Sequence, residues 1–201
     1  IDFLDEQIEH LNERIESHIG EMSRTPPGEE GLHDGCISHE EAMELLDTIP
    51  GINKRIGEEI LAEIGVDMSR FGSASHLASW AGLAPGNNES GGKHYSGRTR
   101  KGNEALRSAM VQAAWGAVRV KGSYLSAQYH RLAPRRGKKR AIVAVAHSMI
   151  VIIYHMLSRG ERYQDLGGDY FDRRRKEGMV NRLMRKIQSL GYMVHVEPAV
   201  A

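Results

Sequence analysis

Apolar residues recur at alternating steps of three and four from the first position: Ile1, Leu4, Ile8, Leu11, Ile15, then His18 and Met22. That heptad spacing predicts a helix with one narrow apolar seam over 1–23, and Ile alternating with Leu favours a two-stranded coiled coil when the helices run parallel. About three heptads are marginal alone, and an amphipathic helix lying on its own domain is the alternative. Thr25-Pro26-Pro27-Gly28, with Gly31 and Gly35, breaks the pattern and makes 24–38 a linker or loop. Ser38 followed by Glu41 is a capping-box pattern, opening a helix through Ala42, Leu45 and Leu46 to Ile49. After Pro50-Gly51 a second helical period follows in Ile52, Ile56, Ile60, Leu61 and Ile64, ending at Gly65.

Further along, Phe71, Leu77, Trp80 and Leu83 suggest another helix. Residues 86–103 carry no period and are rich in Gly, Ser, Asn and basic side chains; loops of that length are usually functional or disordered. Asn103 can cap a helix from Glu104 to about Val120, with Leu106, Ala109, Met110, Ala113, Ala114 and Ala117 as its packed face. The apolar run Ala141–Leu157 contains His147, Ser148 and His155 and falls short of the ~20 residues of a bilayer span. It reads as a central buried helix, with no membrane involved. A last helix is expected over about Lys176–Leu190, and a short strand over Tyr192–Val196. The chain is therefore predicted to be mainly α: a coiled-coil-like helix (1–23), a linker (24–38) and a helical domain (39–201).

Composition narrows the class. The 201 residues are 40% hydrophobic and 26% charged, which excludes a disordered chain, a collagen-like chain and a multi-span membrane protein. The single cysteine, Cys36, excludes an intrachain disulfide and a cysteine-based zinc site. With no initial Met and no signal-peptide pattern, the chain reads as a cytoplasmic fragment of something longer.

The net charge of +1 conceals an asymmetry: residues 1–50 carry 14 acids and two bases, whereas residues 90–140 carry 13 bases and one acid, Glu104. A block that basic points to a polyanion partner, nucleic acid above all; a solvated face is the plainer reading.

Two stretches could carry phosphate chemistry. Ile49-Pro50-Gly51-Ile52, between two short helices, resembles a helix-hairpin-helix turn, which bares backbone N–H groups to a phosphate. Asn53 stands where that motif has a second glycine, and Asn tolerates left-handed backbone; an ordinary helical hairpin is the alternative. The other stretch is Ser90-Gly91-Gly92-Lys93, a hydroxyl among glycines beside a cation. Serine is a poor nucleophile until activated, and Lys93, Arg98, Arg100 and Lys101 could neutralise charge on a phosphorane. A loop that only grips nucleic acid, or a plain surface loop, also fits. Walker-type loops and the Gly-x-Ser-x-Gly elbow are absent from the sequence. His147 and His155 read as packed core histidines, and Asp165, Asp169 and Asp172 as solvated loop acids.

Taken in order, Leu46-Asp47-Thr48-Ile49-Pro50-Gly51-Ile52, Leu61-Ala62-Glu63-Ile64-Gly65, Arg70-Phe71, Leu77-Ala78-Ser79-Trp80-Ala81-Gly82-Leu83-Ala84-Pro85, Ser90-Gly91-Gly92-Lys93, Gly97-Arg98-Thr99-Arg100-Lys101-Gly102-Asn103, Leu106-Arg107 and Ala113-Ala114-Trp115 resemble the C-terminal domain of insertion-sequence 110 family transposases, relatives of the Piv DNA invertases. The likeness runs from about residue 40 to about 160, and the helix at 1–22 is similar to that family's coiled-coil connector. The resemblance implies a bacterial or archaeal DNA recombinase, with members guided by a bridge RNA. It implies an N-terminal RuvC-like domain, missing here, whose acidic tetrad binds Mg²⁺, and a composite site from two protomers. No metal or other cofactor is expected in this fragment, which should not cleave alone. By position in the Ser-Gly-x-Lys motif the nucleophilic serine maps to Ser90, with Ser96 as the competing hydroxyl. Lys93, Arg98, Arg100, Lys101 and Arg107, with Gly51, Lys54 and Arg55 at the hairpin turn, are the expected contacts to phosphate or nucleic acid. A non-catalytic nucleic-acid-binding and dimerisation module is the main alternative, and a helical adaptor for a protein partner a third.

Overall fold

The computed structural model describes residues 37–86, 89, 90, 92–94, 99 and 101–194, together with Glu13, Arg14 and Ser17, which are helical and exposed. The seam of the predicted coiled coil, and the linker up to Cys36, lie outside the described residues.

Capping chemistry sets the first two helices. Helix α1 (His39–Asp47) starts at the expected capping box: Glu41 N–H donates to Ser38 Oγ at 3.2 Å and Ser38 N–H donates to Glu41 Oε2 at 2.9 Å. It buries Ala42, Leu45 and Leu46. Helix α2 (Lys54–Ile64) starts at Asn53, whose Oδ1 accepts from Ile56 N–H at 3.0 Å. Asn53 has extended backbone, φ −105°. Its value at this position is therefore its capping oxygen and not a tolerance of left-handed geometry.

A 3₁₀ turn (Met68–Arg70) leads to α3 (Ala74–Trp80), capped by Ser73. Two short antiparallel strands follow, β1 (Glu89–Ser90) and β2 (Lys93–His94), inside what the sequence showed only as a patternless loop. Helix α4 (Glu104–Ala117) is capped by Asn103 as expected, but stops three residues before Val120. There Ser126 Oγ donates to Val118 O at 3.0 Å and Ser123 Oγ to Val120 O at 2.8 Å, which gives carbonyls at the helix end partners outside it.

Helix α5 (Tyr124–Arg136) was not anticipated. It buries only Leu125, Ser126 and Tyr129 and carries Pro134 in its last turn, so its apolar stripe is thin. Gly137, at φ +81°, ends α5 and begins α6 (Lys138–Arg159) with no residue between. Helix α6 starts three residues ahead of the apolar run, at a Lys-Lys-Arg turn of good helix formers. Helix α7 (Tyr170–Gln188) starts six residues earlier than expected because its first turn holds its anchors. Tyr124 stacks on Phe171 with centroids 5.1 Å apart, and the Arg131 guanidinium lies 4.1 Å above the Phe171 ring. Residues 192–194 form no strand.

Helix α6 is the axis of the domain. Ala141, Ile142, Val145, Ala146, Met149 and Ile150, then Ile153, Met156 and Leu157, are buried along it against α3, α4 and α5. Length and composition alone would let this helix cross a bilayer; in the fold, its apolar face forms the core. The alanines of α4 let α6 come close on one side, and on another the α1–α2 turn approaches α4 closely at Gly51, φ +87°. A Cβ there would stand well inside 3.0 Å of Ala113 O and Ala117 N.

Candidate functional site

The loop after α3 is held at its neck. Leu83 N–H and Ala84 N–H both donate to Ala78 O, at 3.0 and 3.1 Å. Pro85 and Thr99 form an isolated antiparallel bridge. Gly102 lies so close to Gly82 and the Trp80 carbonyl that a Cβ would not fit, and Asn103 N–H donates to Trp80 O at 3.0 Å. The Asn103 side chain does two jobs: Oδ1 accepts from Leu106 N–H at 2.9 Å, and Nδ2 donates to Glu63 on α2.

Beyond the neck the chain folds back on itself. Glu89 pairs with His94 and Ser90 with Lys93. Two residues separate the strands, and the second, Gly92, has φ +73°, the left-handed geometry that two-residue hairpin turns use. The expected nucleophile and the expected first cation are thus cross-strand partners. Arg98 and Arg100 lie outside the described residues. Lys101 is exposed beside the neck. Arg107, half-buried on α4, donates from Nη2 to Thr99 Oγ1 at 3.2 Å and so ties α4 to the neck.

The other expected contacts sit elsewhere. The Gly51 turn meets α4 at Gly116, nine residues and about 13 Å along the helix from Arg107. Gly51 thus has a packing reason to be glycine. Lys54 and Arg55 are exposed in the first turn of α2, where Arg55 pairs with Glu59 at 3.2 Å.

At the foot of the neck lies a cleft of about 610 Å³. Leu83, Pro85 and Val143 give it an apolar wall. Arg107, Lys139 and Arg140 give it three cations, and none of its lining residues is acidic. Gln128, His147 and Ser148 supply polar groups: Gln128 Nε2 donates to Ser148 Oγ at 2.8 Å, and Ser148 Oγ to Ala144 O at 3.2 Å. Gln128 Oε1 and His147 Nδ1 are buried and have no partner among the described residues. His147 and Ser148 also border a second cleft of about 720 Å³, on the side of Tyr124, His155 and Tyr163.

Electrostatics favour an anion at the first cleft. Lys138, Lys139 and Arg140 occupy the first turn of α6, and Gly137 offers no side-chain cap. Cations at a helix N-terminus oppose the macrodipole, and a bound anion relieves both charges. Arg135 and Arg136, in the last turn of α5, lie where the dipole favours them.

Burial holds the His147 pKa below its ordinary 6.5, so the folded chain binds fewer protons there than the unfolded one. Stability should therefore rise with pH between the depressed folded value and about 6.5. Thermal melts between about pH 5 and 7.5 should show the midpoint falling on acidification, and His147→Gln should flatten that slope.

Sequence reasoning missed Gln128, Ser148, Lys139 and Arg140. The basic run at 135–140 was visible, but without α5 nothing showed which cleft it bordered. Among the described residues no group of three or more His, Cys, Asp or Glu is placed to hold a metal. Asp165 accepts from Tyr124 N–H and Gly167 N–H, and Asp169 pairs with Arg173 at 2.9 Å, so these acids serve the fold.

The domain is mainly helical, carries the Ser90–Lys93 hairpin beyond its neck, and lines the cleft below with three cations. Its sequence is similar to a gene-inverting protein and to insertion-element proteins. It is 36% identical over 124 residues to the pilin gene-inverting protein of Moraxella bovis, covering 59% of this chain and 38% of that one. To the 43.6 kDa protein of insertion element IS110 from Streptomyces coelicolor it is 32% identical over 123 residues, covering 60% of this chain and 30% of that one. To the transposase for insertion sequence element IS1111A of Coxiella burnetii it is 30% identical over 128 residues, covering 62% and 35%. The matched segment spans about a third of the length of these relatives. Residues 43–130 match the model of the IS116/IS110/IS902 transposase family. The segment runs from the middle of α1 through α4, with the hairpin and its neck, into the first half of α5.

Proposed function

We propose that this chain is the serine-bearing part of a DNA transposase or site-specific recombinase. The observation that carries the reading is the register Ser90↔Lys93 on a two-residue hairpin, inside a segment that matches a transposase family. The Ser90 hydroxyl attacks a DNA phosphorus. The Oγ–P bond forms, the bond from phosphorus to one deoxyribose oxygen breaks, and that oxygen leaves with a proton. One strand end is then held as a phosphoserine. Lys93, Arg98, Arg100, Lys101 and Arg107 spread the charge that builds on the phosphorane, and Lys54 and Arg55 add a second line of phosphate contacts.

The family resemblance implies magnesium. Among the described residues no group of three or more His, Cys, Asp or Glu could hold it; on this reading a RuvC-like domain would supply it, and no step here runs through it. Pairing of two chains through the 1–22 heptads, and guidance by a bridge RNA, complete the reading.

The decisive experiment is covalent capture on suicide DNA with Ser90→Ala as the discriminating variant. A prior requirement is salt-dependent binding. With about five phosphates neutralised by the hairpin cations, log K should fall against log salt with a slope near −4 to −5 for duplex DNA. Fluorescence anisotropy from about 50 to 300 mM salt measures it, and a flat dependence overturns the nucleic-acid reading. The non-catalytic binding module predicts the same slope and differs only in giving the Ser90 hydroxyl no role.

A further inference from the structure

We infer that the cleft at the foot of the hairpin receives a single unpaired nucleotide, its base against Leu83, Pro85 and Val143 and its flanking phosphates on Arg107, Lys139 and Arg140. The inference rests on the reading of this chain as a nucleic-acid-handling domain and adds a site to it.

Shape is the first reason. Paired DNA is gripped through phosphates on an open cationic surface, which needs no cavity. Here the cations line a cleft of about 610 Å³ with an apolar wall, within the ~300–1,000 Å³ range of sites that enclose a small organic group. Bases inside a duplex are stacked and cannot enter such a site. A base that is unpaired or swung out of its stack can.

Chemistry is the second. A nucleobase has two apolar faces and a polar edge. The cleft has an apolar wall, and beside it the Gln128–Ser148 pair, held at 2.8 Å. The Gln128 Nε2 end meets Ser148, and its Oε1 end is buried without a partner among the described residues. His147, which also lines the cleft, has Nδ1 as a second buried group without a partner among the described residues. Both would gain partners if Gln128 and His147 shifted toward an entering base, and both are costly to leave unmet.

Charge is the third. Lys139 and Arg140 stand exposed at the uncapped start of α6, and Arg107 faces them from α4 while it holds Thr99 in the neck. A nucleotide with a phosphate on either side suits three cations around one apolar wall better than an isolated phosphate does. The neck that carries the Ser90 hairpin forms part of the same wall, so an occupied cleft would register the strand against the hairpin.

Binding of the 201-residue chain to a 15-residue oligothymidylate, a 15-residue oligouridylate and a blunt 15-base-pair duplex tests this by anisotropy. Lys139→Gln with Arg140→Gln, both exposed positions, should weaken single-strand binding tenfold or more. Val143→Trp, which fills the cleft, should weaken it at least fivefold and leave duplex binding within twofold. The arm that loses more, DNA or RNA, identifies the strand's source. Unchanged single-strand binding by a folded Val143→Trp overturns the site. Should that variant not fold, photocrosslinking of the unaltered chain to 4-thiothymidine and 4-thiouridine oligomers decides: adducts at 83–85 or 139–148 support the cleft, and adducts elsewhere overturn it. No binding to any of the three probes overturns the nucleic-acid reading itself, whereas binding with adducts only elsewhere removes the cleft alone.

Discussion

Ser90→Ala, introduced into the full-length parent protein, is expected to leave no covalent protein–DNA adduct on a suicide substrate, while non-covalent binding stays within about twofold. The substitution deletes one oxygen and no charge, and the salt-dependent part of affinity comes from cations it leaves in place. The proposed attacking hydroxyl has no substitute in an alanine side chain. Ser96→Ala, in the same loop, should keep the adduct. Lys93→Gln should slow adduct formation by roughly 10²–10³, the usual effect of removing one group that stabilises developing charge, with binding weakened far less. Denaturing gels with end-labelled DNA, and mass spectrometry of the adducted peptide, give the answer. An adduct that survives Ser90→Ala moves the attacking group elsewhere, and a peptide centred on Ser96 would name its replacement.

The second large effect concerns the scaffold. Gly51→Ala is expected to destabilise the domain by more than about 3 kcal/mol, near the top of what single substitutions do. Two costs add. A non-glycine residue at φ +87° costs about 1–2 kcal/mol. The new methyl would also meet Ala113 O and Ala117 N of α4 well inside van der Waals distance, and a helix backbone cannot step aside as a side chain can. Gly92→Ala is the matched control. It has a similar left-handed angle, φ +73°, but no atom of the described residues lies within 4 Å of the added carbon, so the strain is the cost expected there. Urea denaturation of both variants separates the contributions, and equal losses would show that the turn and α4 do not depend on that contact. Against a typical 5–15 kcal/mol for a domain, Gly51→Ala removes a large share of the stability.

Much of this domain was legible because its helices announce their starts. Ser38 with Glu41, and Asn103, mark N-caps that the structure reproduces. The period of Ile56, Ile60, Leu61 and Ile64, and the apolar run from Ala141, mark faces that are buried. Helix α5 left no such mark. Ser126, at a buried position, is polar, its only fully buried large aliphatic is Leu125, and Pro134 with two arginines disguises its end. Its absence hid the cleft as well, since Gln128 stands on it and the Lys139–Arg140 turn follows from it. The hairpin was hidden for a different reason. Strands of two residues have no alternation to read, and only the glycines hinted at the reversal. Asn53 shows a residue placed correctly for the wrong cause: the turn does accept it, through its side-chain oxygen and not through its backbone.

The Pro85–Thr99 bridge and the Gly82–Gly102 contact draw both stalks of the serine arm to one point on the helical body. Because both stalks are fastened there, a change of length or sequence in the arm beyond the Pro85–Thr99 bridge should leave the packing of α3 and α4 in place, and the melting temperature of such a variant should stay near that of the unaltered chain.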